Sequence, residues 1–217
     1  MQFQTPTGPV TLDIRHLVVA GWTGRDAAKV THHIEELAAI GVAPPSTVPL
    51  FYRTSSNLLQ QGERVEVVGP GTSGEVEPLV MNAGGQLWLG LGSDHTDRPL
   101  EAHSVAASKQ ACAKPVASQI WPLAEVKDHL DALELHCDIR ENGAWVVYQT
   151  GTLASIRPLM DLVAGANLPE GGAMLCGTLG AIGGVREAAA YRMRLTDPVL
   201  GREITMHYET ETLPVIA

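Results

Sequence analysis

Two glutamates separated by one residue, Glu75 and Glu77, are the side chains of this sequence best suited to chemistry. On an extended strand, side chains two residues apart lie on the same face, so the segment Glu-Val-Glu places two carboxylates side by side. Like charges at that spacing repel each other unless a cation lies between them. The pair therefore predicts a metal site. The alternative interpretation is an edge strand whose two glutamates face solvent.

A third carboxylate, Asp94, follows the apolar segment 87–91, which has the pattern of the next strand. A short connector through Gly84 and Gly85 joins the two segments. Asp94 would complete a cluster of three oxygen ligands. Such a cluster favours Mg²⁺, with Mn²⁺ or Ca²⁺ as alternatives, and leaves coordination positions for water and substrate. His95 is expected to point away from this cluster, because successive strand residues face opposite sides.

A histidine and a glutamate near the start of the chain, His33 and Glu36, have the spacing of one helix face. Apolar residues over 27–40 recur at near-helical spacing, Asp26 can cap the N-terminus, and Gly41 ends the pattern. Side chains three residues apart on a helix meet, and a carboxylate beside an imidazole orients it as a general base. An ordinary surface pair is the alternative.

The composition limits the classes of protein that this chain can be. With 217 residues and 45% hydrophobic content, it is long enough for one sizeable core and is not disordered. A net charge of -9 with 15 Lys and Arg gives no basic field for nucleic acid. We also expect no signal peptide and no membrane span. An odd number of unpaired cysteines, Cys112, Cys137 and Cys176, favours the reducing cytoplasm.

The elements that position these side chains are predicted to be mainly strands. The chain has 22 Gly and 14 Pro with short apolar runs between them, which indicates an α+β fold that is mainly β, with few short helices. Asn-Gly within 141–144 predicts a tight hairpin. Further strands are expected at 191–195 and 203–208, and short helices at 124–130 and 153–163.

A glycine-rich segment over 172–184 allows the backbone to approach a ligand closely, with Gly177 and Thr178 at its centre. The Thr178 hydroxyl is a candidate donor to a substrate oxygen. The segment is not a phosphate loop, because the Gly-Lys-Ser/Thr ending is missing and no helix pattern follows.

The order of these motifs resembles that of the fumarylacetoacetate hydrolase superfamily, over about residues 19–214. Three positions depart from the family pattern: Leu179 replaces a proline, Gly172-Ala173 replaces Gly-Asp, and Glu101 stands where a glutamine often contacts substrate. The motifs in the family's order are His33-Ile34-Glu35-Glu36, Pro49-Leu50-Phe51, Glu75-Val76-Glu77, Asp94-His95-Thr96-Asp97-Arg98, Lys109 and 172–180.

The resemblance implies mixed β-sheets rolled into a barrel-like arrangement, with a lid-like segment at 1–45 that carries His33 and Glu36, and a catalytic domain at 46–217. It also implies a homodimer and a 2-oxo acid substrate. The residues that the resemblance assigns to the site are Glu75, Glu77 and Asp94 as metal ligands, His33, Glu36 and Lys109 as catalytic groups, and Arg98, Glu101, Gly177 and Thr178 as substrate contacts.

The expected reaction is metal-dependent hydrolysis of a C-C bond in a 2-oxo acid or 1,3-dicarbonyl compound of the acylpyruvate type, through a metal-bound enolate. His33 with Glu36 would activate the water, and Lys109 would stabilise negative charge. Arg98 either binds the substrate carboxylate or has a structural role. Two alternatives stay open: a lyase at the same site, namely a 2-oxo dicarboxylate decarboxylase or a 2-oxo-enoate hydratase, and a non-catalytic module that binds metal or a small acid.

Overall fold

The structure is a computed structural model that describes residues 1–39 and 43–216, without the side chains of His33, Glu36 and Leu37. Strands dominate the described part of the chain. They are β1 (Gln2–Thr5), β2 (Gly8–Thr11), β3 (His16–Gly21), β4 (Leu50–Thr54), β5 (Leu59–Gln60), β6 (Arg64–Val68), β7 (Thr72–Ser73), β8 (Val76–Ala83), β9 (Gln86–Ser93), β10 (Thr96–Asp97), β11 (Lys114–Pro115), β12 (Trp121–Pro122), β13 (Glu134–Glu141), β14 (Ala144–Thr152), β15 (Gly172–Leu175), β16 (Ala190–Asp197) and β17 (Arg202–Leu213).

The helices are short apart from the first. Their bounds are α1 (Ala27–Ala39), α2 (Arg98–Glu101), α3 (Val105–Ala111) and α4 (Leu159–Gly165), and single 3-10 turns lie at Ser56–Leu58, Leu123–Glu125, Leu130–Ala132 and Leu153–Ser155.

Two mixed sheets form the body of the molecule. Within the described residues, the central sheet has the order β12-β9-β8-β15-β3-β4, in which β15 and β3 run parallel and the other neighbours antiparallel. The second sheet has the order β14-β13-β16-β17-β6, with β17 and β6 parallel. Parallel neighbours require long connections, so residues distant in sequence meet in both sheets.

The central sheet is buried on both faces, which explains why its strands read as continuous apolar runs. In β3, Val18 and Ala20 belong to the core shared with the second sheet, whereas Leu17 and Val19 pack on the opposite side with Phe3 of β1. Alternate side chains of one strand thus pack into two different hydrophobic cores. The predicted fold class, mainly β with mixed sheets and few short helices, is confirmed.

The predicted hairpin at 141–144 is confirmed, and the short connector through Gly84 and Gly85 is a hairpin turn as well. β8 and β9 pair from Val76↔Ser93 to Ala83↔Gln86, and their turn contains Gly84 and Gly85 at φ 66° and 77°. β13 and β14 turn through Asn142 and Gly143, also at positive φ. Positive φ at both central residues gives the turn a twist that matches the strands, which is why Gly and Asn are favoured there.

The two later helix predictions were partly wrong. Segment 124–130 contains no α-helix, and 3-10 turns lie at Leu123–Glu125 and Leu130–Ala132 instead. Segment 153–163 begins with a 3-10 turn, and α4 starts only after Pro158. A proline disfavours helical conformation in the residue before it, so the helix cannot run continuously through Arg157.

Two further observations concern the cysteines and the helices. Cys112, Cys137 and Cys176 are buried free thiols. Among the described residues, no helix combines the length and the apolar character needed to cross a bilayer.

Candidate metal centre

The β8–β9 hairpin positions the three predicted metal ligands at its open end. Glu75 and Glu77 lie at the start of β8, and Asp94 directly follows β9, whose last residue pairs with Val76. The Asp94 N–H donates to the Glu75 carbonyl oxygen over 3.0 Å. One carboxylate oxygen from each of these residues lies within 4.8 Å of the other two. The hairpin thus brings the predicted acidic triad together.

Two residues of the triad are buried and Glu75 is partly buried, so their charges are costly without a cation. Glu77 is 2% exposed and Asp94 1% exposed. Burial, reinforced by the negative charges of Asp94 and Glu75, raises the pKa of Glu77 well above its usual range. Burial likewise raises the pKa of Glu75, although Arg98 opposes the shift. The protein's own groups leave the two glutamates short of positive charge, and a hard divalent ion fits a donor set of three carboxylates.

Two lysines face Asp94. Lys109, in the last turn of α3, donates from Nζ to Asp94 Oδ2. Lys114, on β11, places Nζ 2.9 Å from Asp94 Oδ1 and also donates to the His95 carbonyl oxygen. Burial alone would raise the pKa of Asp94, but the lysines outweigh burial and lower it. Asp94 in turn holds the pKa of Lys109 above its usual range against burial.

Sequence analysis missed Lys114 as a site residue. The signal that could have found it is a lone charge in the otherwise uncharged segment 112–117, since a lysine in such surroundings is either exposed or paired. Only the fold shows that its partner is Asp94.

Arg98 bridges the triad to α2. Its Nη2 lies 3.3 Å from Glu75 Oε1, Nη1 lies 2.7 Å from Glu101 Oε2, and Nε donates to Ser73 Oγ over 2.6 Å. Asp97 does not pair with Arg98 but caps α2 by accepting from the Leu100 N–H. Arg98 Nη2 is buried, and its described contact is the ion pair with Glu75, which does not have hydrogen-bond geometry.

The glycine-rich segment lies against the triad from the side of β15. The Gly177 N–H donates to Glu77 Oε2 over 2.7 Å. The Thr178 hydroxyl donates to the Val76 carbonyl oxygen over 2.7 Å and accepts from Gln149 Nε2. Gln149 itself is fully buried and accepts from the Val76 N–H. These bonds fix the start of β8, and with it the direction of Glu77.

His95 lies in a separate buried network behind the triad. Its ring is hydrogen-bonded to the Tyr208 hydroxyl at 3.0 Å and to Thr72 Oγ1 at 2.8 Å. Burial, together with Lys114 and Arg98, lowers the pKa of His95 to about 3, so the imidazole is neutral. Tyr208 stacks on Tyr191 at a centroid distance of 4.8 Å. The network supports the segment that carries Asp94.

The predicted base pair, His33 and Glu36, lies on α1, and its side chains are outside the described part of the structure. The root of α1 is described and is well anchored. Asp26 caps the helix by accepting from the Ala28 N–H, as predicted. Arg25 makes a two-pronged ion pair with Asp131 at 2.6 and 2.7 Å and donates from Nε to the Ile156 carbonyl oxygen.

Comparison with known proteins agrees with this architecture. The sequence matches a family model described as protein of unknown function DUF2848 over residues 20–208. No curated protein gives a match. The chain is similar to a solved structure from Oleispira antarctica, assigned provisionally as a fumarylacetoacetate isomerase/hydrolase, with a TM-score of 0.67, 17% identity and coverage of 97% of this chain and 100% of that one.

Two structures of a dehydratase are similar as well. For 2-keto-3-deoxyarabinonate dehydratase the TM-score is 0.66, with 18% identity and coverage of 93% of this chain and 75% of that one. For 2-keto-3-deoxy-D-arabinonate dehydratase complexed with magnesium and 2,5-dioxopentanoate, the TM-score is 0.62. The identity is 16%, and the match covers 94% of this chain and 75% of that one. These likenesses confirm the predicted fold.

Proposed function

Because the chain belongs to the DUF2848 family and has the fumarylacetoacetate hydrolase fold, we propose that it is a divalent-metal-dependent enzyme that acts on a 2-oxo acid or 1,3-dicarbonyl compound. The triad of Glu75, Glu77 and Asp94, of which the last two are buried, is the observation that carries the proposal. Carboxylates that approach within 4.8 Å in a protein interior are stabilised by a cation, and Mg²⁺ or Mn²⁺ suits three oxygen donors.

The proposed substrate follows from the cations beside the triad. The Arg98 guanidinium lies beside Glu75 and keeps 17% of its side chain exposed, and we assign it to the substrate carboxylate. Lys109 lies at the edge of the site with 8% of its side chain exposed, and we assign it to negative charge that develops on the substrate. Such a donor typically contributes about 3 kcal/mol to transition-state stabilisation. A divalent cation held by the triad would supply Lewis-acid charge to the substrate's carbonyl oxygens.

The reaction we propose first is hydrolysis of a C-C bond. His33, oriented by Glu36, would take a proton from the attacking water. This assignment rests on the order of motifs that the chain shares with the fumarylacetoacetate hydrolase superfamily, and it requires α1 to bring His33 within hydrogen-bond reach of the water. The likeness to a dehydratase solved with magnesium and 2,5-dioxopentanoate favours a lyase as the second candidate. Decarboxylation or dehydration of a 2-oxo acid needs no attacking water.

The His33→Ala variant separates the two reactions. Hydrolysis should fall by about 10²-fold or more, the usual effect of removing a general base, whereas decarboxylation should change little. Glu36→Ala should have a smaller effect in the same direction. Glu35→Ala is the matched control, since Glu35 is exposed on the same helix. Equal loss of both reactions in His33→Ala would contradict the assignment of His33 to water activation.

A substrate screen tests the proposal as a whole. Acylpyruvates, oxaloacetate and 2-oxo-enoates are offered with Mg²⁺ and with Mn²⁺, and we expect turnover of at least one class that stops on chelation. Glu77→Ala should lose metal binding and turnover together while remaining folded, and Glu66→Ala, an exposed glutamate, should behave as wild type. Bound metal without turnover of any compound would instead favour a non-catalytic binding module.

A further inference from the structure

Lys114 is the more completely buried of the two lysines that contact Asp94. It is 0% exposed, and its ammonium lies 2.9 Å from Asp94 Oδ1 and donates to the His95 carbonyl oxygen. Lys109, on the other side of Asp94, retains 8% exposure of its side chain. A buried charge is stable only while it is paired, so Lys114 is a permanent part of the site.

The charges around the triad nearly cancel. Glu75, Glu77, Asp94 and Glu101 supply four negative charges when ionised, and Arg98, Lys109 and Lys114 supply three positive ones. Ion pairs join Arg98 to Glu75 and Glu101, and Asp94 to the two lysines, and the triad brings the two groups together. The net charge is therefore one negative. A divalent cation would change it to one positive, and a monoanion would then bring it to zero.

We propose that Lys114 is a positioning residue that acts as a fixed counter-ion of Asp94 and makes tight binding of the divalent cation depend on an anionic ligand. Without Lys114 the site would carry two negative charges, and the cation alone would neutralise it. With Lys114 present, the metal-loaded site is cationic and attracts a monoanionic carboxylate. This inference depends on the proposed function, because it takes the triad as the metal site.

The coupling must act in both directions. If the cation strengthens binding of the anion, the anion strengthens binding of the cation by the same factor. Charges in a buried site are weakly screened, so one unit of charge changes both affinities strongly. We therefore expect at least a fivefold coupling factor in the wild type, within the usual range for linked sites. The site would then hold its metal firmly only together with a 2-oxo acid.

Calorimetric titration of the metal-free protein with Mn²⁺, with and without saturating pyruvate, measures this coupling without an activity assay. In the wild type, pyruvate should tighten Mn²⁺ binding at least fivefold. Lys114→Met should bind Mn²⁺ alone about tenfold more tightly and lose most of the pyruvate effect. Lys114→Arg keeps the charge and should keep the coupling. Lys127→Met removes an exposed lysine and should match the wild type.

The outcomes separate this inference from the proposed function. Wild-type protein that binds Mn²⁺ with an affinity independent of pyruvate overturns the role of Lys114 and leaves the metal site in place. That measurement needs no variant, so it stands even if Lys114→Met does not fold. If pyruvate tightens Mn²⁺ binding as much in Lys114→Met as in the wild type, the proposed role of Lys114 is also overturned. Wild-type protein that binds no Mn²⁺ overturns the proposed function itself.

Discussion

The backbone N–H of Gly177 fixes the direction of Glu77, the most buried glutamate of the site. A side chain at position 177 would not be tolerated. Gly177 has φ 99°, and a Cβ there would lie 1.7 Å from Thr23 Oγ1. Gly177→Ala should therefore cost several kcal/mol of folding free energy, through strain of about 1–3 kcal/mol and the clash with Thr23. Gly180→Ala is the matched control, since a Cβ at Gly180 meets no atom within 4 Å. Urea unfolding of both variants tests the prediction, and equal stability would contradict it.

The raised pKa of Glu77 makes the metal-free protein respond to pH. Burial, together with the negative charges of Asp94 and Glu75, raises the pKa of Glu77 in the folded state. The protonated carboxyl therefore contributes stability that is complete below the unfolded pKa of about 4.3 and is lost as the pH rises through the higher folded pKa. Metal binding requires the ionised form, so Mn²⁺ affinity should increase with pH over the same interval and binding should release protons.

Urea unfolding of metal-free protein between pH 5 and pH 8 measures the loss of stability with rising pH. Glu77→Gln should flatten the pH dependence of the free energy of unfolding, whereas Glu66→Gln, an exposed control, should leave it unchanged. Calorimetry in buffers of different ionisation enthalpy measures the protons released with Mn²⁺. Proton release of zero across this interval would show that Glu77 is already ionised in the metal-free protein.

Sequence reasoning at the residue scale found the side chains that repeat a local pattern and missed the one that does not. Glu75 and Glu77 share a strand face, and Asp94 ends the next strand, so alternation along two neighbouring strands was enough to group them. Lys114 has no such pattern. Its partner is twenty positions earlier, on a segment that reaches it only after β11 pairs with β5. A buried ion pair of this kind depends on tertiary placement and is not visible in local spacing.

At the scale of elements, the root of α1 is held by a clamp that should control the motion of this helix. Arg25 pairs with Asp131 and with the Ile156 carbonyl oxygen, but Arg25 and Asp131 side chains are 34% and 59% exposed. The ion pair is therefore worth only about 0.2–1 kcal/mol. Arg25→Met should leave global stability almost unchanged, raise amide exchange of α1 several-fold, and lower kcat of a reaction that uses His33.

The control for this prediction is Arg15→Met, an arginine with 60% side-chain exposure that pairs with Asp13 away from α1. Mn²⁺ affinity should be the same in both variants, because neither touches the triad. Unaltered exchange of α1 in Arg25→Met would mean that the helix is held by other contacts.

Prediction of elements succeeded where the turn residues adopt positive φ, which few residue types accept. Asn142-Gly143 marked a hairpin correctly, and Gly84-Gly85 marked the connector between two strands, because few residues accept positive φ at both turn positions. The helix predicted at 153–163 was partly wrong because Pro158 delays α4 until Leu159. The helix predicted at 124–130 was wrong, because single 3-10 turns at Leu123–Glu125 and Leu130–Ala132 take its place.

At the scale of the whole molecule, the shared core should make unfolding cooperative and responsive to metal. Apolar side chains of both sheets belong to one cluster, so neither sheet is expected to melt alone. A ligand that binds only the folded state at a hundred times its Kd adds about 2.7 kcal/mol of stability. Mg²⁺ or Mn²⁺ should therefore raise the unfolding temperature of wild-type protein in a single transition.

Differential scanning calorimetry with and without metal measures this shift. Glu77→Ala should show no shift, and Glu66→Ala should show the wild-type shift. A metal-induced rise in Glu77→Ala equal to that of wild type would place the stabilising ion elsewhere in the protein.

The arrangement of the whole chain was predicted only in outline. Composition and turn signals indicated a mainly β protein, and the order of motifs indicated the fold family. Strand order was not predicted, because β15 beside β3 and β17 beside β6 join segments more than a hundred residues apart in sequence. No local pattern encodes such neighbours, because their pairing depends on how apolar side chains from distant parts of the chain pack together.

The β8–β9 hairpin that carries the triad at its open end has its closed end on the surface. Its strands are eight residues long, so the turn lies about 25 Å from the carboxylates. Gln86, next to the turn, is exposed, while the native thiols are buried. A cysteine introduced at this position would accept a fluorophore selectively, giving an optical reporter rigidly coupled to the reaction centre yet remote enough to leave its chemistry undisturbed.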